Sequence, residues 1–568
     1  MKFDWQIQQG KTDDIVETLL ANRGIKEEAD VAAFLNPDWD DHTYNPMLFQ
    51  QMKTAVDRLF HALENQQKIV IHGDYDADGV CGSALLYDAL RQICERLALP
   101  FSHVEVYLPD RERDGYGVAM HTIERLGKEK TDLLITVDCG IANADELDYA
   151  HELALDVIIC DHHQLAERLP QHALIIHPLA PGETYPNKHL CGTGVAFKFA
   201  SALLAKARRR GADFPVGYEK WFLDYVAVAT VTDVVPLLGE NRALEKFGLV
   251  VLNKTNRPGL RKIIELSRTK LGEIDTQAIG FRIGPRLNAA GRISSAKIAF
   301  QTLTSTDQSE VERFANELEM LNRERQRISE IDFKEARLIA QEKKDASVQV
   351  VWSETWHPGI VGLIAGKLVT EFGVPAFALT RVGDNFVGSG RSVGGLHLVE
   401  AMRSCGDIFI KAGGHPQACG LTIASEELIY QFQTGVEKFA KEFFGSNDLK
   451  PSLNIDAELP LDHANWEVFE TLQKFAPFGQ SNPHPIFVAH NLQIMRADAV
   501  GKTGNHLKLV LHTGQNAWNA IGFGLGDLAR QLMLGDMVDI VYELTVNEWN
   551  GEKELQASIL DLKQINNG

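Results

Sequence analysis

The segment from residue 68 to residue 178 repeats one theme, in which a short β-rich run stops on a polar cluster and a helical pattern follows. The β-rich runs lie at residues 69–71, 104–108, 133–137, 157–159 and 174–176. Such alternation predicts an α/β domain whose parallel sheet is covered by helices on both faces. Open sheets of this type bind ligands beyond the carboxyl ends of their strands, so a functional site is expected just after these runs.

The richest polar cluster follows the run at 69–71 and gathers three carboxylates within five residues. Its members are His72, Asp74, Tyr75, Asp76 and Asp78. Carboxylates at this spacing repel one another, so the loop needs a positive charge, which a divalent metal ion would supply. An Asp- and Gly-rich loop that only caps the next helix is the alternative for this cluster taken alone.

Two more runs of the same predicted sheet end on acidic or imidazole side chains, namely Asp138, Asp161, His162 and His163. Each of these alone could be a helix cap or a satisfied polar residue, but three clusters at one sheet edge favour a metal site. A further acid, Asp233, interrupts the apolar stretch 226–238, where an unpaired buried carboxylate would be costly. A buried ion pair is the alternative for Asp233.

The types of side chain narrow the choice of metal. Oxygen and imidazole donors without a thiolate set favour Mn²⁺ or Mg²⁺ over a structural zinc ion. The candidate donors exceed the needs of one ion, which predicts two. Two such ions about 3.5 to 4 Å apart clamp the attacking and leaving oxygens of a phosphate and activate a bridging water. The predicted reaction is therefore hydrolysis of a phosphate bond.

The 568 residues divide into five predicted parts. An N-terminal extension covers residues 1–50, and the α/β domain covers residues 51–305. The next part, 306–343, is rich in Glu, Arg, Lys, Ala and Leu, and predicts one long helix or a helix broken once. A second α/β pattern covers residues 344–448. Alternating runs within 449–568 predict a small antiparallel barrel of the oligonucleotide-binding (OB) type.

Charge and cysteine content exclude some classes of protein. The chain has 57 Lys and Arg against 77 Asp and Glu, and the formal charge of -20 excludes a generally basic protein that coats nucleic acid. Its seven cysteines form no CxxC pair, and their odd number fits reduced thiols better than a disulfide framework, so we expect a cytoplasmic location. Neither a signal-peptide pattern nor an apolar run near the ~18 residues of a membrane span is recognisable, so we expect no membrane association.

Taken together, the motifs resemble those of the DHH/DHHA1 phosphoesterases. The shared motifs are DYDADG at 74–79, DCG at 138–140, DHH at 161–163 and GGH at 413–415. Longer segments are similar to those of the bacterial single-strand-specific exonucleases of this family, namely LCGTGVAFK at 190–198, DVVPL at 233–237, GPRLNAAGR at 284–292, GGHPQACG at 413–420 and PFGQSNPHPIF at 477–487. The chain departs from the family pattern at Thr232 and Ser481, where Ala and Gly are usual. Neither departure removes a ligand.

The resemblance implies 5′ to 3′ degradation of single-stranded DNA to mononucleotides, in recombination and repair, with two Mn²⁺ or Mg²⁺ ions as cofactors. It assigns one metal ion to His72, Asp76, Asp138 and Asp233, and the other to Asp78, Asp138 and His162. Asp138 would bridge the two ions, and His163 would face the scissile phosphate. Asp74 and Asp161 would orient the ligands. A single-strand-binding protein and a helicase are the protein partners that the resemblance implies.

A second set of residues is predicted to hold the DNA strand. Arg282, Arg286 and Arg292 form a basic island without an acid, and we assign Arg286 and Arg292 to the DNA backbone or the terminal phosphate. A surface arginine paired with the long helix is the alternative for Arg282. The other candidates are Tyr75, Arg111, Tyr116, Ser389, Arg391 and His415. The two tyrosines would stack on bases, and the alternative is that they belong to the core. The glycine-rich segments around Ser389 and His415 would let backbone N–H groups approach a phosphate, and the alternative is that they are only turns.

Two other functions compete with that of an exonuclease. A bare two-metal core could hydrolyse small substrates such as pyrophosphate, oligoribonucleotides or cyclic dinucleotides, although the long helix, the basic island and the terminal barrel favour a longer polymer. A non-enzymatic single-strand-binding or scaffold protein is the other alternative. It is disfavoured because every expected metal position carries a suitable ligand.

Overall fold

The computed structural model describes residues 3–8, 14–111, 113–445, 452–549 and 551–565. The chain forms two compact units. The first unit consists of Ala32–Arg327 and Pro477–Asn482. The second unit consists of Met1–Val31, Ile328–Ala476 and Pro483–Gly568.

The secondary structure alternates between helices and strands in both units. The α-helices are, in chain order, α1 (Ile15–Asn22), α2 (Glu28–Leu35), α3 (Trp39–His42), α4 (Met52–Glu64), α5 (Ala77–Arg96), α6 (Met120–Lys128), α7 (Ala144–Glu152), α8 (Gly192–Arg209), α9 (Leu223–Thr232), α10 (Gly239–Leu252), α11 (Pro258–Leu266), α12 (Thr276–Ala278), α13 (Gly284–Ile293), α14 (Lys297–Thr304), α15 (Gln308–Gln341), α16 (Val361–Phe372), α17 (Leu398–Arg403), α18 (Glu426–Phe444) and α19 (Trp466–Gln473). Short 3₁₀-helices cover Pro46–Leu48, Tyr218–Phe222, Leu461–His463 and Gly526–Arg530, and a π-helix covers Ile279–Ile283.

The strands are, in chain order, β1 (Asp4–Ile7), β2 (Ile69–Gly73), β3 (Val104–Tyr107), β4 (Leu133–Val137), β5 (Asp156–Cys160), β6 (Leu174–Ile176), β7 (Gln349–Ser353), β8 (Ala376–Val382), β9 (Asn385–Arg391), β10 (Phe409–Gly414), β11 (Ala418–Ile423), β12 (Ser452–Ile455), β13 (Ala457–Glu458), β14 (Phe487–Val500), β15 (His506–His512), β16 (Ala517–Gly522), β17 (Met537–Trp549) and β18 (Glu552–Ile565). All five runs predicted between residues 68 and 178 are strands, with ends that differ by at most two residues.

The first unit is built around the predicted parallel sheet. Its strand order is β3-β2-β4-β5-β6, and each neighbouring pair is parallel. Successive residues of a strand point to opposite faces, so Ile69 and Ile71 join a core with α4, α5 and α8, whereas Val70 joins a core with α6 and α7. Because helices cover both faces, β2 and β4 are buried along their whole length.

The apolar stretch around Asp233 forms a buried helix rather than a strand. Helix α9 packs against α5 and α8 and ends at Thr232. Asp233 therefore follows the helix as its C-cap residue and does not interrupt it. This position brings the carboxylate to the end of a rigid, buried element.

The predicted long helix is α15, which runs without a break from Gln308 to Gln341. It begins in the first unit and ends in the second unit, whose boundary lies between Arg327 and Ile328. The absence of Pro and Gly from its sequence removes the usual causes of a break. The alternative of a helix broken once is therefore not observed.

The second unit contains a mixed sheet and a barrel. The sheet has the strand order β10-β11-β9-β8-β7, in which only the pair of β7 and β8 is parallel. The barrel order is β14-β15-β16-β18-β17, and pairing of β14 with β17 closes it. The predicted OB-type barrel is confirmed, with one correction, because β16 and β18 pair in parallel.

The predicted N-terminal extension is shared between the two units. β1 pairs in parallel with β12, and the indole N–H of Trp5 donates to the carboxylate of Asp561 at 2.8 Å. Residues from Ala32 onward belong to the first unit instead. The domain boundaries predicted at residues 50, 305, 343 and 448 stay predictions. Among the described residues, no helix is both long and apolar enough to cross a membrane.

Candidate metal centre

The metal centre predicted from the sequence lies at the carboxyl edge of the parallel sheet, where β2, β4 and β5 end. Asp138 directly follows β4 and has a φ of +63°, a left-handed conformation that non-glycine residues rarely adopt. Strain of about 1 to 3 kcal/mol of this kind is concentrated at functional sites. The start of α8 comes so close that a Cβ atom on Gly192 would lie 2.5 Å from the Asp138 side chain. Only glycine fits there.

The acidic loop after β2 is held by backbone N–H groups. A carboxylate oxygen of Asp76 accepts from the N–H groups of Asp78 and Gly79 at 2.9 and 3.1 Å, which caps α5. The two carboxylate oxygens of Asp78 accept from the N–H groups of Gly192 and Thr193, both at 2.7 Å. The helix-capping alternative is therefore right for Asp76, but capping does not explain why the other acids gather beside it.

The side chains that follow different strands converge. Three groups have possible ligand atoms within 4.8 Å of one another, namely Asp138 with His162 and His163, Asp78 with His162 and Asp233, and Asp74 with Asp76 and Asp138. The Nε2 atom of His162 lies 3.1 Å from Asp138, 3.6 Å from Asp233 and 3.8 Å from Asp78. Asp138 and His162 each take part in two of the three groups.

Several of these atoms are buried without a hydrogen-bond partner. Among the described residues they include Nε2 of His72, Nε2 of His162, and one carboxylate oxygen each of Asp74 and Asp138. Buried polar atoms are almost always satisfied in native proteins, so such a concentration of orphans indicates an external partner. Divalent ions bound by oxygen and imidazole donors fit this set.

The pKa values of the side chains in the centre also indicate a site for a cation. Burial, together with the charges of neighbouring acids, raises the pKa of Asp138 and of Asp233 well above the ordinary value. Burial lowers the pKa of His72 and of His162 to about 4, so both imidazoles are neutral near pH 7 and able to act as ligands. A bound cation would favour the ionised form of these buried, crowded carboxylates.

Asp161 orients the two histidines that follow it. One of its carboxylate oxygens accepts from the backbone N–H of His162 at 2.7 Å and lies 2.8 Å from Nδ1 of His163. Although burial opposes both shifts, this pairing lowers the pKa of Asp161 and raises that of His163 to about 9. With Nδ1 engaged, the opposite nitrogen of His163 is left for a ligand. This is the geometry expected of a residue that orients ligands.

The loop after β3 brings two predicted substrate-binding residues to the centre. The guanidinium of Arg111 lies 5.1 Å from the ring centre of Tyr75, and the ring of Tyr116 meets that of His163 edge-on at 5.4 Å. The sequence prediction missed the anchor of this loop, Asp114. Its carboxylate accepts from the Tyr107 hydroxyl at 2.6 Å and from the Asp110 N–H at 2.8 Å, and lies 2.8 Å from Nε2 of His121.

The basic island takes a different form from the one predicted. Nε of Arg286 donates to Glu319 of α15 at 2.7 Å, and another of its nitrogens donates to the Leu266 carbonyl at 3.2 Å. Pairing with the long helix is the alternative predicted for Arg282. In the structure Arg286 makes this pairing, and Arg282 is exposed. The segment also supports the acidic loop, because the Asn288 side chain accepts from the Ala77 N–H at 2.8 Å. Asn288 lies within the GPRLNAAGR segment that carries the family resemblance, but the sequence patterns predicted no role for it.

The remaining predicted contacts lie in the second unit. Ser389 and Arg391 are on the same face of β9, where the guanidinium donates to the Ser389 hydroxyl at 3.0 Å. Helix α16 approaches this pair so closely that a Cβ atom on Gly362 would lie 3.2 Å from both side chains. His415 follows β10, and its N–H donates to the Ala418 carbonyl at 2.8 Å. Their roles stay predictions.

Comparison with known proteins decides the family. Three family models match, namely the DHH family N-terminal domain at residues 68–230, the DHHA1 domain at 345–442 and the RecJ OB domain at 455–561. The single-stranded-DNA-specific exonuclease RecJ of Bacillus subtilis is 35% identical over 99% of this chain and 71% of its own length. RecJ of Dickeya dadantii is 31% identical over 96% of this chain and 95% of its own length. The chain belongs to the RecJ family.

Solved RecJ structures agree with this assignment. RecJ from Thermus thermophilus in complex with Mn²⁺ has a TM-score of 0.82 and 29% identity, and the match covers 100% of this chain and 80% of that one. The same protein in complex with Mg²⁺ has a TM-score of 0.76 and 27% identity, covering 100% and 79% of the two chains. The predicted fold class, the metal-dependent exonuclease activity of a RecJ protein and the Mn²⁺ or Mg²⁺ cofactors are confirmed.

Proposed function

We propose that this RecJ-family chain degrades single-stranded DNA from its 5′ end and releases mononucleotides, in DNA recombination and repair. The observation that carries the proposal is the set of orphaned imidazole and carboxylate atoms at the sheet edge, around His72, Asp138 and His162. The names of the relatives supply the substrate class, and the OB domain suits a single strand. A cytoplasmic location rests on the cysteine content, and recruitment by a single-strand-binding protein and a helicase rests on the resemblance alone.

In this proposal the ligands are divided between two ions. His72, Asp76, Asp138 and Asp233 hold one ion, and Asp78, Asp138 and His162 hold the other. When bound, the ions supply a polarised phosphate and an activated water. Asp76 caps α5 and Asp78 lies in its first turn. The carboxylate of Asp76 is oriented by N–H groups of α5, and that of Asp78 is oriented by the Gly192 N–H at the start of α8. His163 contacts the scissile phosphate, because Asp161 already engages its other nitrogen.

The strand is held by groups around this centre. Arg111 lies over the ring of Tyr75 and Tyr116 meets His163, and these three residues bind the terminal nucleotides. Arg292 binds the backbone, whereas Arg286 acts through its bond to Glu319 by orienting the segment that also carries Asn288. In the second unit, Ser389, Arg391 and His415 supply hydroxyl, guanidinium and imidazole groups for a phosphate.

Cleavage polarity is the decisive test. Oligonucleotides blocked at either the 5′ or the 3′ terminus and labelled at the other end are incubated with the protein and Mn²⁺. We expect mononucleotide release only when the 5′ terminus is free. Release from a free 3′ terminus alone would overturn the polarity, and hydrolysis of dinucleotides alone would favour a phosphatase of small substrates.

Substitution of the bridging residue tests the metal centre separately. Asp138→Ala is expected to abolish cleavage while leaving DNA binding largely intact. The matched control is Asp145→Ala, because Asp145 is an exposed acid of α7 that pairs only with Arg168 among the described residues. Normal turnover by Asp138→Ala would contradict the assignment, and loss of DNA binding with cleavage would indicate a structural defect.

A further inference from the structure

The first unit contains a cavity of about 330 Å³ at a distance from the metal centre. Four segments line it, namely the second half of α5, the residues 218–224 that lead into α9, the residues 256–258 that lead into α11, and residues 303–306. Sites for small organic ligands begin at about this volume. None of the predicted metal ligands or DNA contacts lines the cavity.

The cavity lies further along the two helices that reach the metal centre, on the second half of α5 and at the start of α9. Asp88 on α5 is ten residues from Asp78, and Asp224 on α9 is nine residues from Asp233. At 1.5 Å per residue these separations are about 15 and about 13.5 Å. The cavity is therefore a separate place in the unit and not an extension of the metal centre.

The floor of the cavity is a buried network centred on Arg257. Its Nε donates to Asp224 at 2.9 Å, and one of its terminal nitrogens donates to Asp88. The hydroxyls of Tyr225 and Thr255 donate to the same two carboxylates at 3.0 and 2.8 Å. Both carboxylates are thus fully engaged, so the floor is rigid and offers no free carboxylate to a ligand.

The open side of the cavity carries three exposed or partly exposed side chains. Trp221 is 50% exposed although it lines the cavity. The side chain of Arg91 is 38% exposed, and one of its terminal nitrogens donates to Asp88 at 3.0 Å. The side-chain amide of Asn256 has no partner within the described part of the chain. An aromatic face, an amide and a partly exposed guanidinium therefore line one opening.

These three groups match the parts of a nucleotide. An exposed aromatic ring stacks on a nucleobase, an asparagine amide pairs with N6 and N7 of adenine, and a guanidinium donates to a phosphate. A zwitterionic amino acid would need a free carboxylate for its ammonium group, which the floor does not offer. We propose that the cavity is a second ligand site of the first unit and binds a free adenine mononucleotide, with the base on Trp221.

Calorimetric titration of the full chain with dAMP tests this proposal. The titration is done once with Mn²⁺ and once with EDTA, because a nucleotide held by the metal centre would be lost in EDTA. We expect saturable binding with similar affinity in both conditions, weaker binding of dTMP and none of inorganic phosphate. No saturable binding, binding only with Mn²⁺, or equal binding of phosphate would each overturn the proposal.

Two variants locate the binding. Trp221→Ala and Asn256→Ala are each expected to weaken dAMP binding about tenfold or more. Asn256 is exposed, so its variant keeps the test valid if Trp221→Ala fails to fold. The matched control is Trp466→Ala, since Trp466 is 43% exposed and belongs to the second unit. Unchanged affinity in both cavity variants, or an equal loss in the control, would show that dAMP binds elsewhere.

Discussion

The first unit buries charge in two places, and the two places differ in how the charge is satisfied. Around Arg257, a guanidinium and two hydroxyls from the chain itself engage Asp88 and Asp224. In the metal centre, carboxylates meet imidazoles and one another, and atoms such as Nε2 of His162 have no hydrogen-bond partner among the described residues. A buried charged group that is paired and hydrogen-bonded within the chain holds helices together. A buried polar group without such partners needs a partner from outside the chain.

The largest expected effect comes from breaking the satisfied network. Arg257→Met leaves the buried Asp224 without its cation and Asp88 with Arg91 alone, and we expect a loss of about 3 to 5 kcal/mol in the free energy of unfolding. Urea unfolding at neutral pH measures it. Arg91→Met is the matched control, because Arg91 pairs with the same Asp88 but its side chain is 38% exposed. We expect Arg91→Met to lower the free energy of unfolding by less than about 1 kcal/mol. Equal losses in the two variants would contradict the proposed difference between the buried and the partly exposed arginine.

Binding of a metal ion should stabilise the protein through the metal centre and not through the Arg257 network. At a Mn²⁺ concentration 100 times the Kd, we expect the free energy of unfolding to rise by about 2.7 kcal/mol over that in EDTA. Asp138→Asn should lose most of this rise and should be more stable than the parent chain in EDTA, since one repelling carboxylate is gone. Arg257→Met should keep the rise. A full Mn²⁺ effect in Asp138→Asn would disprove the bridging role.

Glu245 sharpens the comparison because it is a solitary buried acid. It is fully buried on α10, neither oxygen has a hydrogen-bond partner among the described residues, and burial raises its pKa well above 4.5. The folded state therefore binds a proton that the unfolded state releases as the pH rises above 4.5, so the free energy of unfolding falls with pH. This loss is about 1.4 kcal/mol per pH unit until the raised pKa is reached.

The variant Glu245→Gln removes this proton linkage. We expect its stability advantage over the parent chain to be smallest near pH 4.5 and to grow towards pH 8, as measured by urea unfolding across that range. Glu265→Gln is the control, since Glu265 is an exposed acid of α11 that pairs with Lys262. A constant difference between Glu245→Gln and the parent would mean that the carboxyl is already ionised in the folded protein.

The smallest expected effect concerns the loop that carries Arg111 and Tyr116. Asp114→Asn replaces an acceptor of three polar contacts by an amide that also donates, which should loosen the loop. We expect the KM for single-stranded DNA to rise about tenfold, equivalent to about 1.4 kcal/mol, with little change in kcat. Tyr107→Phe removes one donor and should have a milder effect. A fall in kcat at constant KM would place Asp114 in the chemical step instead.

Local patterns were sufficient to predict much of the fold and of the metal centre. The strands after residue 68 appear where the β-rich runs predicted them, because strands buried on both faces are continuous apolar runs. Parallel strands bring their carboxyl ends to one edge, so Asp78, Asp138 and His162 could be placed together without coordinates. The family resemblance then supplied the activity, which spacing alone left open between several phosphate substrates.

Contacts between distant segments could not be predicted in this way. The sequence places Arg286 in a basic island, but only the folding of α15 beside it supplies Glu319 as a partner. Nothing near Arg257 in the sequence reveals that Asp88, far away on α5, shares its charge. By itself the sequence determined which segments are strands, where the acids stand along them and to which family the chain belongs. The tertiary structure decided which buried charges are satisfied, because that depends on which groups packing brings within hydrogen-bond distance.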